Sequence, residues 1–82
     1  MKARPPEPEA VELDLRGLKC PLPALRTRKA LKEAAAGTRL VVTCTDPMAV
    51  IDIPHLAHET GAVLEERTVA EGLLTFILRK PG

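Results

Sequence analysis

Several residue types are missing or scarce in this chain of 82 residues. It contains no Asn, Gln, Ser, Trp or Tyr, and Phe76 is its only aromatic side chain. Because proteins that bind single-stranded nucleic acid stack bases on several aromatic side chains, direct nucleic-acid binding is disfavoured. No apolar run approaches the roughly 18 residues of a membrane span. The first ten residues also lack the apolar segment of a secretory signal, so we expect a cytoplasmic protein without membrane contact.

The absence of Asn and Gln has a second implication. These thermolabile amides are depleted in heat-adapted proteins, which makes a thermophilic source a hypothesis. A genomic bias toward Ala, Arg, Leu and Pro codons produces the same composition without heat, and the sequence does not separate these two explanations.

Cysteine is also scarce, since Cys20 and Cys44 are the only two thiols. Two cysteines are too few for a disulfide scaffold, and the lack of a CxxC pair argues against both a thioredoxin-type dithiol and a zinc ribbon. His55 and His58 are three residues apart, but with the cysteines they match no zinc-binding spacing. We therefore expect no metal site and place both histidines on a solvated helix surface.

Charge is balanced in total but not along the chain. The 12 basic and 11 acidic residues leave a net charge of +1. Residues 14–32 contain one acid and six bases, for a segment charge of +5, and the rest of the chain carries −4. The six bases are Arg16, Lys19, Arg26, Arg28, Lys29 and Lys32. Such a separation favours an acidic partner, although a basic helix face that is merely solvated remains the alternative.

The first half of the chain predicts a tail, a strand, a helix and a second strand. Residues 1–10 contain three prolines among alternating charges and are predicted to be a disordered tail, which leaves residues 11–80 as a single domain. Residues 11–15 alternate with the period of a half-buried strand that ends at Gly17. A helix with Pro23 in its first turn is predicted to continue to Ala36 and to be capped by Gly37. Residues 40–45 are rich in β-branched side chains and predict the second strand.

The second half predicts a broken helix and a hairpin. Asp46 and Pro47 are typical of a helix start, but Pro54 predicts a short turn at residues 47–51, followed by a second helix at 53–60 that Asp52 caps and Gly61 ends. Strands are expected at residues 63–66 and 73–79, with the turn at residues 71–72. The order βαβαββ predicts an α+β two-layer sandwich: a four-stranded mixed sheet with two helices on one face.

Cys20 is the residue with the clearest potential for chemistry. It lies where the first strand ends and the first helix begins, so free helix N–H groups and the helix dipole are expected to favour an anion there. Arg16 and Lys19 add positive charge nearby, and these features together predict a lowered thiol pKa and a reactive thiolate. The alternative is a small apolar residue that fills a gap beneath a loop. Asp46 and Asp52 are explained by helix capping, with acid–base chemistry as their alternative.

A resemblance extends this interpretation. The segment at residues 13–23, LDLRGLKCPLP, contains the CPxP signature of the TusA/SirA/YedF sulfur-carrier family, preceded by Gly17 and Leu18. The likeness continues at Asp46-Pro47, at residues 52–54 (DIP), at Gly61 and at the closing FILRK of residues 76–80, and it covers residues 11–80.

The resemblance implies the same βαβαββ fold and a function. In the family, the CPxP cysteine accepts sulfane sulfur as a persulfide and relays it, a role that falls here to Cys20, with Gly17, Pro21 and Pro23 supporting the loop. The implied donors are a cysteine desulfurase or a rhodanese-like protein, and the acceptors serve tRNA thiolation, molybdenum cofactor assembly or sulfur oxidation. No cofactor bound to this chain is implied, and the chain is expected to be a carrier rather than a stand-alone turnover enzyme.

Two positions depart from the family pattern, and two questions stay open. Ala62 stands where many members have His, and Cys44 is not part of the family's motif. Cys44 shares strand phase with Leu40 and Val42, so we expect a core position, with a resolving thiol and a metal ligand as alternatives.

The other open question is whether the protein is instead a regulatory or redox interaction module without sulfur transfer. The basic side chains near the loop are predicted to dock partners: Arg16, Lys19, Arg26 and Lys29.

Overall fold

The computed structural model describes residues 10–81 and contains four strands and two helices in the predicted order βαβαββ. The elements are β1 (Ala10–Leu15), α1 (Leu22–Glu33), β2 (Arg39–Cys44), α2 (Ala49–Thr60), β3 (Val63–Ala70) and β4 (Leu73–Arg79). The predicted disordered tail lies outside the described residues except for Ala10, which is the first residue of β1. No helix within the described range has the length and apolar character needed to cross a membrane.

The strands form one mixed sheet in the spatial order β1-β2-β4-β3. β1 and β2 run parallel, whereas β4 pairs antiparallel with both β2 and β3. Both helices pack on one face of this sheet and contact each other, which confirms the predicted two-layer α+β architecture. Because β1 and β2 are parallel, the loops that follow them emerge at the same edge of the sheet. That edge positions the site described below.

The core lies between the helices and the inner face of the sheet. Alternate residues of the two central strands are completely or almost completely buried, as the period of a β-strand requires. They are Leu40, Val42 and Cys44 on β2, and Leu74, Phe76 and Leu78 on β4. The helices add Leu31, Ile53 and Ala57 to the same cluster. The strand phase of Cys44 therefore confirms its predicted core position.

Helix α1 begins where the sequence predicts but ends earlier. Pro23 lies in its first turn, and the Thr27 hydroxyl donates to the Pro23 carbonyl at 2.7 Å. The prediction that the helix continues to Ala36 and ends at Gly37 is wrong, because Ala34 is already extended. The Lys80 ammonium group reaches across from the C-terminal segment and donates to the carbonyl of Leu31 at 2.6 Å and to that of Ala34 at 3.0 Å. This long-range partner satisfies carbonyls that would otherwise need a local cap.

Helix α2 is a single helix, so the predicted break at Pro54 is wrong. Pro54 is the sixth residue of the helix and deprives only the Val50 carbonyl, in the exposed first turn, of its N–H partner. A lost hydrogen bond costs about 1 kcal/mol, which burial of Ile53 and Leu56 on either side outweighs. The predicted cap at Asp52 is wrong for the same reason, since this residue lies within the first turn. Gly61 ends the helix at φ 79°, as predicted.

The C-terminal hairpin is longer than the sequence indicates. β4 has the predicted bounds, and Glu71 and Gly72 form the predicted turn, both with positive φ as a two-residue hairpin turn requires. β3, however, continues past residue 66 to Ala70, with an irregularity between Leu64 and Glu66. This outer strand is mostly exposed and lacks a buried alternation, so pairing with β4 rather than its own pattern determines its length.

Candidate functional site

Cys20 lies on the loop between β1 and α1, at the sheet edge where the two parallel strands end. Gly17 turns the chain with φ 85°, and its N–H donates to the Thr45 hydroxyl of the loop after β2 at 2.9 Å. The Cys20–Pro21 peptide bond is cis, and Cys20 itself is exposed. The loop after β1 is thus attached to the loop after β2, and the thiol is presented at the start of α1.

Two carboxylates hold Cys20 from the side of α2. The Cys20 N–H donates to Asp46 Oδ2 at 2.5 Å, and the Cys20 thiol donates to Asp52 Oδ2 at 3.0 Å. Asp46 also accepts the Met48 N–H at 2.9 Å in the turn before α2, but Met48 is the N-cap of α2 and no side chain caps the helix, so the predicted capping role of Asp46 is wrong. Asp52 likewise makes no capping bond and contacts the thiol instead. The structure therefore brings two carboxylates, 26 and 32 residues away in sequence, to Cys20.

The electrostatic environment raises the pKa of Cys20, so the predicted lowering is wrong. The hydrogen bond to Asp52 is the largest cause, because it stabilises the protonated thiol, and partial desolvation and the charges of Asp52 and Asp46 act in the same direction. Two of the N–H groups at the helix start are already engaged, that of Leu22 by the Lys19 carbonyl and that of Leu25 by the Pro21 carbonyl.

The two basic side chains nearest the Cys20 loop interact with carboxylates and not with the thiol. The Arg16 guanidinium makes two hydrogen bonds to Asp14, at 2.8 and 2.9 Å, and holds the pKa of that carboxyl at about 2. Lys19 is exposed, and its charge contributes to lowering the pKa of Asp46, after the hydrogen bonds from Met48 and Cys20. Neither base therefore offsets the effect of the two carboxylates on Cys20.

Cys44 differs from Cys20 in exposure, although the pKa of both thiols is raised. Its side chain is completely buried, and burial, with a smaller effect of the Asp46 charge, raises the pKa of Cys44 to about 11. Both cysteines are free thiols. Because reactivity requires exposure and thiolate character, Cys20 is the accessible thiol of the described chain and Cys44 packs as a small apolar residue.

The exposed face of α1 carries apolar side chains in addition to the predicted basic ones. Arg26 and Lys29 are exposed, as expected, and share a face with Leu22 and Leu25, because these positions follow helical spacing. Leu25 exposes 53% of its surface. Sequence reasoning missed these leucines as surface residues, although a helical wheel centred on Thr27 and Leu31 could have found them, since it places Leu22 and Leu25 off the buried stripe.

A groove between the two helices begins at Cys20. Its volume is about 180 Å³, and Leu25 and Leu56 contribute its apolar lining. At its other end, Glu59 accepts a hydrogen bond from Arg28 at 2.7 Å and lies 3.3 Å from His55 Nε2. His55 thus borders the groove, whereas His58 is exposed elsewhere on α2. Within residues 10–81, no three His, Cys, Asp or Glu side chains converge in a way that could hold a metal ion.

The fold and this site together match known proteins at two levels. The fold is that of a SirA-like protein from Desulfitobacterium hafniense, whose crystal structure superposes with a TM-score of 0.72, covering 90% of this chain and 99% of that one at 21% identity. At the level of sequence, the family described as "Sulfurtransferase TusA" matches residues 11–80. The chain belongs to the TusA family.

Relatives in this family are similar over nearly their whole length. The sulfur carrier protein TusA of Allochromatium vinosum is 42% identical over 69 residues, which cover 84% of this chain and 91% of that protein. The sulfur carrier protein TusA of Pseudomonas putida is 36% identical over 73 residues, covering 89% and 90% respectively. The family resemblance seen in the CPxP segment is therefore confirmed.

Proposed function

We propose that this protein is a sulfur carrier in which Cys20 accepts sulfane sulfur as a persulfide and passes it to an acceptor. Membership of the TusA family and relatives named as sulfur carriers support the carrier role. The observation that carries the assignment to one residue is the contrast between the exposed Cys20 and the buried Cys44. Residues 11–80 form the carrier domain in this proposal, and Gly17, Pro21 and Pro23 hold the loop that presents the thiol.

The chemistry of such a carrier requires only one accessible sulfur. The Cys20 sulfur attacks the terminal sulfur of a donor persulfide, and the resulting Cys20 persulfide then offers its own terminal sulfur to the next acceptor. The donor in this proposal is a cysteine desulfurase or a rhodanese-like protein, so the harder cleavage of a carbon–sulfur bond takes place elsewhere. The acceptor belongs to tRNA thiolation, molybdenum cofactor assembly or sulfur oxidation.

Partner docking is proposed for the helix that follows the thiol. Arg26 and Lys29 lie on the exposed face of α1, and Lys19 is on the Cys20 loop itself. These bases would meet acidic groups on a partner, while Leu22 and Leu25 on the same face supply apolar contact. Arg16 is the weakest of the four docking residues proposed from the sequence, because its guanidinium is already paired with Asp14.

The carrier function is tested by measuring the mass of the intact protein. Incubated with a cysteine desulfurase, pyridoxal phosphate and free cysteine, the protein should gain the mass of one sulfur atom, and a thiol reductant should remove it. Cys20→Ser should abolish the gain, because a hydroxyl cannot hold a transferable sulfane sulfur. Cys44→Ala is the matched control and should keep it. Loss in both variants would indicate a dithiol mechanism, and an unchanged mass with several donors that load a known carrier would contradict the proposal.

A regulatory or redox interaction module is the second candidate, and the raised pKa of Cys20 is the observation that favours it. The two candidates differ in the accessibility of the thiol. As a carrier, the native protein should be alkylated by iodoacetamide at Cys20 much faster than at Cys44, because only Cys20 is exposed. A Cys20 thiol that reacts only after denaturation, or no faster than Cys44, would favour the module.

A further inference from the structure

We propose that Asp52, whose carboxylate accepts the hydrogen bond of the Cys20 thiol, restrains that thiol in the free carrier and is the point at which a basic side chain of the sulfur donor binds. The inference rests on the proposed carrier function and adds the chemistry of the partner surface. It follows from the contacts of Asp52, from the charges around it and from the exposed apolar side chains at the start of α2 and on α1.

Asp52 is well placed to control the thiol. Its Oδ2 atom lies 3.0 Å from Cys20 Sγ, and its position in the first turn of the continuous helix α2 fixes it there. A thiol that donates to a carboxylate keeps its proton, and the protonated thiol is a poor nucleophile toward a persulfide. Asp46 anchors the Cys20 backbone at the same time, so the thiol is held against Asp52.

The chain's own basic side chains do not release this restraint. Arg28 and His55 are both directed at Glu59, and Lys19 acts on Asp46. Among residues 10–81, no basic side chain forms a hydrogen bond or an ion pair with Asp52. The titratable side chains that face the Cys20 site from the packed elements are Lys19, Arg28, Asp46, Asp52, His55 and Glu59. A cation that pairs with Asp52 must therefore come from another molecule.

The surface around Asp52 indicates what that molecule presents. Met48, the N-cap residue of α2, lies one helical turn before Asp52 and is 45% exposed, and the adjacent Ile51 is 59% exposed. Leu22 and Leu25 are exposed on the neighbouring helix. A partner that covers these apolar side chains also removes water from the half-buried Asp52, and a desolvated carboxylate is costly unless a cation pairs with it. The fitting partner surface is apolar and carries a Lys or Arg side chain opposite Asp52.

An ion pair between Asp52 and a basic side chain of the donor would couple docking of the donor to the sulfur-transfer step. With Asp52 neutralised by the donor's base, the Cys20 thiol gives up its proton and Sγ attacks the terminal sulfur of the donor persulfide. The new S–S bond forms as the donor's S–S bond breaks, and the electron pair of the broken bond stays on the donor's sulfur, which takes up a proton. The numbers of thiols and sulfane sulfurs are unchanged, so no external oxidant or reductant is needed.

The restraint is measured first in the free protein, without any sulfur transfer. Thiolate absorbance near 240 nm, followed in the Cys44→Ala background, gives the titration of Cys20 alone. Asp52→Asn should lower the pKa of Cys20 and raise its alkylation rate at neutral pH several-fold, and Asp52→Glu should restore much of the restraint. The control Glu66→Gln, an exposed carboxylate on β3 outside the groove, should change neither. A titration of Asp52→Asn that matches the parent, in a protein with unchanged circular dichroism, would overturn the proposal.

The role of the partner's base is measured by comparing two donors. A small-molecule hydrodisulfide lacks a docking surface, so it should load Asp52→Asn several-fold faster than the parent protein. A protein donor, the cysteine desulfurase, should lose most of its rate advantage over the small donor with this variant, since there is no carboxylate left for its base to neutralise. An advantage that stays the same in parent and variant would overturn the partner assignment. If no donor loads even the parent, the carrier function fails, while the titration still reports on Asp52 independently.

Discussion

The buried thiol of Cys44 makes the stability of this protein depend on pH in the alkaline range. Its pKa is about 11 in the folded protein, against an ordinary value of 9.0 for an exposed thiol. A raised folded pKa means that the native state retains its proton where the unfolded state loses it. The corresponding contribution to stability is fully present below about pH 9 and is lost as pH rises toward 11. At about pH 10.5, two pKa units of separation predict a loss of about 2 kcal/mol.

The assay compares two proteins so that other titrating groups cancel. Cys20→Ser removes the second thiol, and the double variant Cys20→Ser, Cys44→Ala removes both. Urea unfolding is followed by far-ultraviolet circular dichroism, because the chain has no Trp or Tyr to report by fluorescence. Between about pH 7.5 and 10.5, the single variant should lose about 2 kcal/mol more of its free energy of unfolding than the double variant. Equal losses would refute the reasoning, because the cavity left by the alanine costs the same at both pH values.

Two further predictions concern a docking face and a helix end. Reversing the charge of Arg26 and Lys29 should slow sulfur acceptance from an acidic donor, and the loss of rate should become smaller as salt concentration rises. The circular dichroism spectrum should not change, and an unaffected rate at low salt would mean that this face is merely solvated. Lys80→Met removes the hydrogen-bond donor to the last carbonyls of α1 and should lower the free energy of unfolding, measured by urea titration, by about 1–2 kcal/mol. An unchanged urea midpoint would mean that water replaces the ammonium group at no cost in stability.

Much of the fold could be predicted because local patterns coincide with packing. The alternation in β1, β2 and β4 follows the two faces of the sheet, so strand positions and the core phase of Cys44 could be predicted from the sequence. Gly61 and the Glu71–Gly72 turn could be predicted because both need a backbone with positive φ. The cytoplasmic location and the heat-adapted source rest on composition alone and stay predictions.

The incorrect predictions have one physical cause, which is a partner distant in sequence. Lys80 from the end of the chain determines where α1 stops, and core burial of α2 keeps one helix across Pro54. β3 is extended by pairing with β4 although its own side chains are exposed. Local propensities are worth tenths of a kcal/mol per residue, so one buried side chain or one charged hydrogen bond outweighs them.

At the Cys20 site, too, the sequence determined some features and the tertiary structure decided others. By itself, the sequence determined that one thiol stands at a strand–helix junction, followed by Pro21 and Pro23, and its motif determined the family. Whether that thiol is an anion was decided only by the tertiary structure. Helix α2 brings Asp52, 32 residues away in sequence, to within 3.0 Å of Cys20 Sγ. Sequence position places Cys20 beside bases and helix N–H groups, but folding pairs Arg16 with Asp14 and engages two of those N–H groups elsewhere. The charges that act on the thiol are then those of Asp52 and Asp46.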